Sequence, residues 1–281
     1  MMPPTAHAMP APAFLRDEGW YARLRRLQPK LTTLGTVMGL MALALLFAVL
    51  VDPRSIDGHS FWVKPIKFFL SLTAYFWTLA WFLGHLSAPT LRTLAARYVL
   101  HVTPVLAILE MAWLIGMAMA GQPSHFNRST PWAAALYSAA GIGAVGLTLG
   151  ILLAGVLVAR EKTAAIPATL RLAMVLGAVL TFVGTVVFAG ALGSGSGHSV
   201  GGVAGHPGLP LLGWSTTGGD LRVAHFWATH AVQALPLVGV LLARRSDGGQ
   251  RWVVWFAAVA YSAFTVMTYY QARASVPFIG L

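Results

Sequence analysis

Cysteine is absent from the 281 residues. That excludes disulfides, thiolate zinc sites, iron–sulfur clusters and haem attached through Cys-x-x-Cys-His. Charge is scarce too. Asp, Glu, Lys and Arg make up 10% of the chain, against roughly 25% in a soluble domain. A soluble fold this poor in charge cannot cover its own surface. The arithmetic therefore excludes a soluble enzyme, a disordered chain and a coiled coil. Acid is scarcest of all, 8 Asp+Glu against 19 Lys+Arg, for a formal net charge of +11. In a soluble protein that excess points to nucleic acid. Here the basic residues sit mainly in short loops, so membrane orientation is the simpler cause and no nucleic-acid partner is expected. Catalytic signatures are also missing: the chain holds no Gly-x-Ser-x-Gly, no His-Glu-x-x-His and no P-loop.

What is present is apolar sequence, 57% of the residues, with a mean hydropathy of +0.70. A membrane-crossing helix needs about 20 mostly apolar residues. Seven such runs are legible, at 31–51, 66–86, 98–120, 132–158, 168–192, 222–243 and 252–271. The expected fold is all-α, a polytopic seven-helix membrane protein of the bacterial inner membrane, with lipids as its first partners. Residues 1–30 read as a basic cytosolic tail with Trp20 and Tyr21 at the interface, and 31–281 as one transmembrane domain. Gly143, Gly146, Gly150 and Gly155 in the fourth helix, and Gly177 and Gly184 in the fifth, are spaced for close helix approach rather than for chemistry.

Orientation follows from Lys and Arg counted by side. Arg16, Arg23, Arg25, Arg26, Lys30, Arg92, Arg97, Arg160, Lys162, Arg171, Arg244, Arg245 and Arg251 fall on one side. Arg54, Lys64, Lys67, Arg128, Arg222 and Arg273 fall on the other. The bias places the N-terminus in the cytosol and the C-terminus outside. Residues 193–219, with ten glycines in 27, then form an external loop. Its first half, to Gly205, reads as flexible linker. Its second half, with Leu209, Leu211, Leu212 and Trp214, reads as folding back on the bundle mouth.

Polar residues crowd the outer side: Asp52, Lys64, Lys67, Gln122, His125, Asn127, Arg128, Asp220, Arg222, His225, His230, Gln233, Gln271 and Arg273. That polarity predicts an outward-facing polar cavity. Glu110, mid-way along the third helix, is the deepest carboxyl, about 15 Å below the outer end at 1.5 Å per residue. His230 and Gln233 lie about 12 and 16 Å in along the sixth helix, so they are the expected partners of Glu110, provided the third and sixth helices touch. Lys67, Arg128 and Arg222 are expected to converge near Asp52 and Asp220 and to hold an anionic group such as a phosphate, a carboxylate or a lipid head. The candidate ligand-binding set is thus Glu110, His230, Gln233, His225, Lys67, Arg222, Asp220, His125 and Arg128. Histidine also ligates haem and divalent metals. His225 and His230, five residues apart, point about 140° from each other on a helix and make a poor chelate. His85 with His101, and His125 with His225, are the geometric candidate pairs for a haem. Ser262, Thr265, Thr268 and Tyr269 form a stripe on the seventh helix that could line the same cavity.

Three function classes remain open: an outward-facing site binding or transporting a small or anionic ligand, a membrane oxidoreductase or electron carrier using haem or metal, and a lipid-modifying enzyme. The segments Gly121-Gln-Pro-Ser-His-Phe-Asn127 and Gly218-Gly-Asp-Leu-Arg-Val-Ala-His-Phe226, running on to His230, Gln233 and Pro236, together with Lys64-Pro-Ile-Lys67, resemble a family of uncharacterised bacterial multi-spanning membrane proteins. The resemblance implies a fold and no activity. The membrane ceramidase-like hydrolases share the helix count, but their combination of Ser, Asp and spaced His is not found here. The seventh helix has no Lys for a retinal Schiff base.

Overall fold

The structure is a computed structural model that describes residues 19–56, 58–162, 166–195, 197–203, 206, 208–243 and 250–280. Arg16, Arg244 and Arg245 of the charge count, and Gly205 of the glycine-rich loop, lie outside the described residues. The chain opens with a short amphipathic helix, α1 (Trp20–Leu27). Among the described residues, seven helices are long and apolar enough to cross a membrane. They are α2 (Pro29–Val51), α3 (Val63–Leu83), the continuous run Leu94–Met119, α7 (Pro131–Arg160), α8 (Ala168–Gly193), α9 (Arg222–Ala243) and α10 (Arg251–Arg273). A one-turn helix, α4 (Ala88–Leu91), precedes the third of these.

Proline punctuates the helices in readable ways. Pro29 and Pro131 open α2 and α7, where a missing N–H costs nothing. Thr130 caps α7 by accepting from the Ala133 N–H at 3.3 Å. Pro104 acts differently. The third candidate span is built from α5 (Leu94–Arg97), a π-helical turn (Tyr98–Val102) and α6 (Thr103–Met119). Pro104 cannot donate to the residue four back. The Thr103 N–H bonds the Tyr98 carbonyl five residues back, which makes the turn π-helical. One extra residue in a turn rotates everything after it by about 100°, which sets the face on which Glu110 sits.

Sequence neighbours pack side by side, with α2 on α3, α7 on α8, α8 on α9 and α9 on α10. α3 also packs on α6, α7 and α9, and it is the most buried of the seven helices. Phe76, Leu79, Phe82 and Leu83 of α3 are fully buried and centre the apolar core. Two glycines show what lets the other helices close up. A Cβ at Gly150 of α7 would lie 2.4 Å from Thr103 Cγ2, beside the π turn, and one at Gly177 of α8 would lie 3.0 Å from the Ala231 carbonyl of α9. Gly143 has open space instead, so it plays no part in helix approach.

One end of the bundle, called the mouth below, collects the ends of α2, α6, α8 and α10 and the starts of α3, α7 and α9. Two small antiparallel hairpins decorate it. β1 (Ser55–Ile56) pairs with β2 (His59–Ser60), and β3 (Ser199–Val200) pairs with β4 (Gly219–Asp220). The first half of the long loop thus supplies a strand where flexible linker was expected. Gly219 is pressed against the Ala272 carbonyl so closely that no side chain fits there. The second half does fold back: Trp214 is 6% exposed and stacks edge-on against Phe226 and Phe278.

Candidate functional site

The mouth is built from buried and half-buried charge. Asp220, 1% exposed at the start of α9, is its anchor. It accepts from Arg222 Nε at 2.9 Å and Nη2 at 2.6 Å, and from the backbone N–H groups of Ser215 and Arg222 at 3.0 and 2.9 Å. Burial works to raise the Asp220 pKa, but the hydrogen bonds and charge of Arg222 outweigh it and hold the carboxyl below the usual range. Arg222 Nη2 also donates to the Gly213 carbonyl. Lys67, at the start of the second turn of α3, donates to the neighbouring Leu212 carbonyl at 3.0 Å. The 208–219 loop therefore lies over the mouth and supplies two carbonyl oxygens to two cations. Leu211, between the turns that aim them, has φ of 63°, a conformation that costs a branched residue energy.

Lys64 stands one helical turn before Lys67. Its charge acts on Glu110 of α6, and the charges of Lys67 and Arg222 act on Lys64. Glu110 is 7% exposed and takes no hydrogen bond from any described residue. This corrects the expected pairing. His230 Nδ1 meets Gln233 Oε1 at 3.2 Å, and Gln233 Nε2 donates to Thr78 Oγ1 of α3 at 3.2 Å. The helix carrying Glu110 and the helix carrying His230 each pack on α3, and the His230–Gln233 pair reaches α3 through Thr78. Equal depth put Glu110 and His230 at one level; the helix between them decides their partners.

The expected convergence of cations is met by Lys67 and Arg222 only. Asp52 belongs to Arg54, which grips it through Nε at 2.9 Å and Nη2 at 2.7 Å, and Trp62 Nε1 donates to it at 2.8 Å. These bonds hold the Asp52 carboxyl well below its usual range. Arg54 Nη1 also reaches the Met119 carbonyl at 3.0 Å, so it caps α6. Arg128 is exposed and caps α8 in the same way, through the Gly193 carbonyl at 3.3 Å. Both arginines hold helix ends at the mouth instead of joining Lys67 and Arg222.

The histidines are packed rather than clustered. His125 lies between Phe68 and Tyr137, with ring centroids 5.9 and 5.6 Å away. Burial, aided by the charge of Lys64, pushes its imidazole down to about 3. His225 of α9 acts on it electrostatically, and the His225 Nδ1 is buried with no hydrogen-bond partner. The His230 ring stacks on Phe226, centroids 4.4 Å apart. His85 bonds the Trp81 carbonyl at 2.8 Å, while His101 is exposed on the π turn. Among the described residues, no three His, Asp or Glu side chains gather as a metal site requires. On α10, the hydroxyls of Ser262, Thr265 and Thr268 bond their own helix's carbonyls. Ser262 and Thr265 line an apolar groove between α8, α9 and α10.

The opposite end holds a polar lock that the sequence reading passes over. Glu161, 3% exposed after α7, accepts from the Ser87 N–H at 2.7 Å and the Ser87 hydroxyl at 2.8 Å. Arg171 Nη1 donates to the carbonyls of Val158, at 2.8 Å, and Glu161. The signal was an acid standing between Arg160 and Lys162, easily taken for a solvated loop charge. Comparison of the chain with family models, curated proteins and solved structures finds no match.

Proposed function

We propose that the protein is a multi-pass inner-membrane protein whose mouth faces outward and binds a small anionic ligand. One observation carries this reading. Lys67 and Arg222 both donate to carbonyls of the 208–219 loop, and of the two only Arg222 is bonded to a carboxyl, that of Asp220. The remaining positive charge is half-buried, where water screens it poorly. Arg222 offers a planar fork and the lysines offer point charges, the pairing that suits phosphate and carboxylate oxygens. The carbonyls of Leu212 and Gly213 occupy the positions at Lys67 and Arg222 where such oxygens would bind. Arrival of an anion exchanges loop carbonyls for ligand oxygens, and the loop becomes free to move.

Thermal unfolding of the detergent-solubilised protein tests this. Inorganic phosphate, compared with chloride at equal ionic strength, is expected to raise Tm by several degrees, about 2.7 kcal/mol when the anion stands at 100 times its Kd. A parallel arm with phosphatidylglycerol in mixed micelles separates a free anion from a lipid head group. Lys67→Gln should remove the response. A wild-type protein indifferent to both anions would overturn the reading.

A further inference from the structure

We propose that the anion site continues inward between α3 and α9, and that its ligand is a phosphate ester whose carbon body carries hydroxyl groups. The inference rests on the anion-binding reading and deepens it. α3 and α9 both start at the mouth and run inward side by side. They are joined at two levels. At the mouth, Lys67 and Arg222 donate to the carbonyls of Leu212 and Gly213, neighbours in the loop. Deeper, Gln233 Nε2 donates to Thr78 Oγ1 at 3.2 Å. Thr78 lies eleven residues beyond Lys67, and Gln233 eleven beyond Arg222. Eleven residues make about three turns and about 16 Å, so each helix turns one face to the other at both levels. Between the levels the α3 face holds Ser71 and Ala74, both small, and the α9 face holds Phe226 and His230.

Ser71 is exposed, although it belongs to the most buried of the seven helices. Its neighbours show where it faces. Tyr75, next round the helix on one side, donates to the Leu147 carbonyl of α7 at 2.8 Å, and Thr78, on the other side, meets Gln233 of α9. α2 packs on the opposite face, where Gly35 and Gly39 approach Trp77 and Thr73. Ser71 therefore opens into the space between α7 and α9 beneath the loop, and its hydroxyl bonds no described residue. Across the seam, Thr78 gives its own hydrogen to the Ala74 carbonyl at 2.7 Å, so it can only accept from Gln233. That fixes the amide with its oxygen toward His230, 3.2 Å from Nδ1. The neutral imidazole then carries its hydrogen on Nδ1 and presents Nε2 as an acceptor. The sealed, unpartnered side-chain nitrogens and oxygens among the described residues belong to His225, Trp227 and Gln250, so His230 Nε2 stays open. The pocket thus offers a hydroxyl about 6 Å, and an imidazole acceptor about 12 Å, inward of the two cations. Phe226, its ring centroid 4.4 Å from that of His230, gives the ligand's carbon atoms a wall. His230 Nε2 calls for an O–H or N–H donor. Lys64 and Lys67 at the same end of α3 disfavour an ammonium, which leaves a hydroxyl.

Calorimetric titration of the detergent-solubilised protein with three esters supplies the test. Propyl phosphate has no hydroxyl, glycerol phosphate is long enough to reach Ser71, and sorbitol phosphate is long enough to reach His230. Wild-type protein should bind them with an affinity that rises about tenfold at each step, the value of a well-placed hydrogen bond. Ser71→Ala should abolish the step to glycerol phosphate, and His230→Phe the further step to sorbitol phosphate. Both variants should bind propyl phosphate as the wild type does, which reports that fold and anion site are intact. Phosphatidylglycerol added to the micelles should displace glycerol phosphate if the ester belongs to a lipid head group and spare it if the ester is free; either result upholds the pocket. Equal binding of the three esters by the wild type would overturn the pocket and leave the anion site standing. A rising series that neither substitution alters would overturn the assignment to Ser71 and His230. Absence of wild-type binding to every ester would remove the anion reading and this inference with it.

Discussion

Ser87 presents both its backbone N–H and its hydroxyl to one carboxylate oxygen of Glu161, 74 residues away along the chain. The contact ties the turn before α4 to the end of α7. The Ser87 N–H has this carboxylate in place of water, and charged hydrogen bonds are worth about 1.5–3 kcal/mol each. Glu161→Ala should therefore lower stability by about 2–3 kcal/mol. Glu161→Gln should cost less, because its amide oxygen still accepts. Unfolding titrated with a denaturing detergent measures both.

Helix approach can be tested at three glycines. At Gly177 the obstacles to a side chain are backbone: the Ala231 carbonyl at 3.0 Å and Val232 Cα at 3.2 Å. Gly177→Ala should destabilise by about 1–3 kcal/mol, since α8 must move off α9. Gly150→Ala, facing Thr103 Cγ2 at 2.4 Å, should fall in the same range. Gly143→Ala meets nothing within 4 Å and should be neutral or stabilising, by up to about 1 kcal/mol from helix propensity. A uniform response at all three positions would contradict the packing described.

Two groups at the mouth should write themselves into the pH profile of stability. His125 is held down to about 3, while an unfolded histidine titrates near 6.5. Between those values the unfolded chain binds the extra proton, so this stabilisation is complete above about pH 6.5 and drains away as pH falls. Asp220 is held below the ordinary carboxylate value near 3.9, so its contribution is complete above that value and is lost as pH falls through its depressed one. His125→Gln should flatten the upper limb of Tm against pH, and Asp220→Asn the lower limb. An unchanged upper limb in His125→Gln would show that its burial is relieved on acidification.

The absence of cysteine makes the orientation directly testable. Val203, at the mouth, is 67% exposed, and Leu94, at the opposite end, is 82% exposed. In whole cells an impermeant thiol reagent should label Val203→Cys and spare Leu94→Cys, with both labelled after lysis. The inverse pattern would reverse the proposed topology.

Much of this architecture is legible in the sequence because lipid leaves few choices. A run such as 168–192 has one structure open to it in hydrocarbon, and it forms α8. Asp220 and Arg222, two residues apart at a helix start, and Trp214 among turn residues were also readable as a folded mouth. Partnership across helices was not. Depth along each helix placed Glu110 beside His230, yet depth carries no information about which helix intervenes, and α3 intervenes. Arg128 counted as a mouth cation, though it serves the carbonyl end of α8, a helix remote in sequence. Pro104 marks a break, but the close approach of Gly150 to Thr103 beside its π turn is a fit between two helices that no single segment announces.

The central place of α3 has a meaning in time as well as in space. It is the second of the seven helices to leave the ribosome, yet α6, α7 and α9, three of the helices it packs on, are made later. Until α9 arrives, Thr78 lacks Gln233, and until the 208–219 loop arrives, Lys67 lacks the Leu212 carbonyl. A nascent chain released after α8 thus carries a helix whose two lysines still lack the loop that lies over them, and such groups are the features that quality-control proteases and lipid-embedded chaperones encounter. The last third of the chain is what completes the second helix, so truncations there should shorten the lifetime of the whole protein rather than only remove its C-terminal helices.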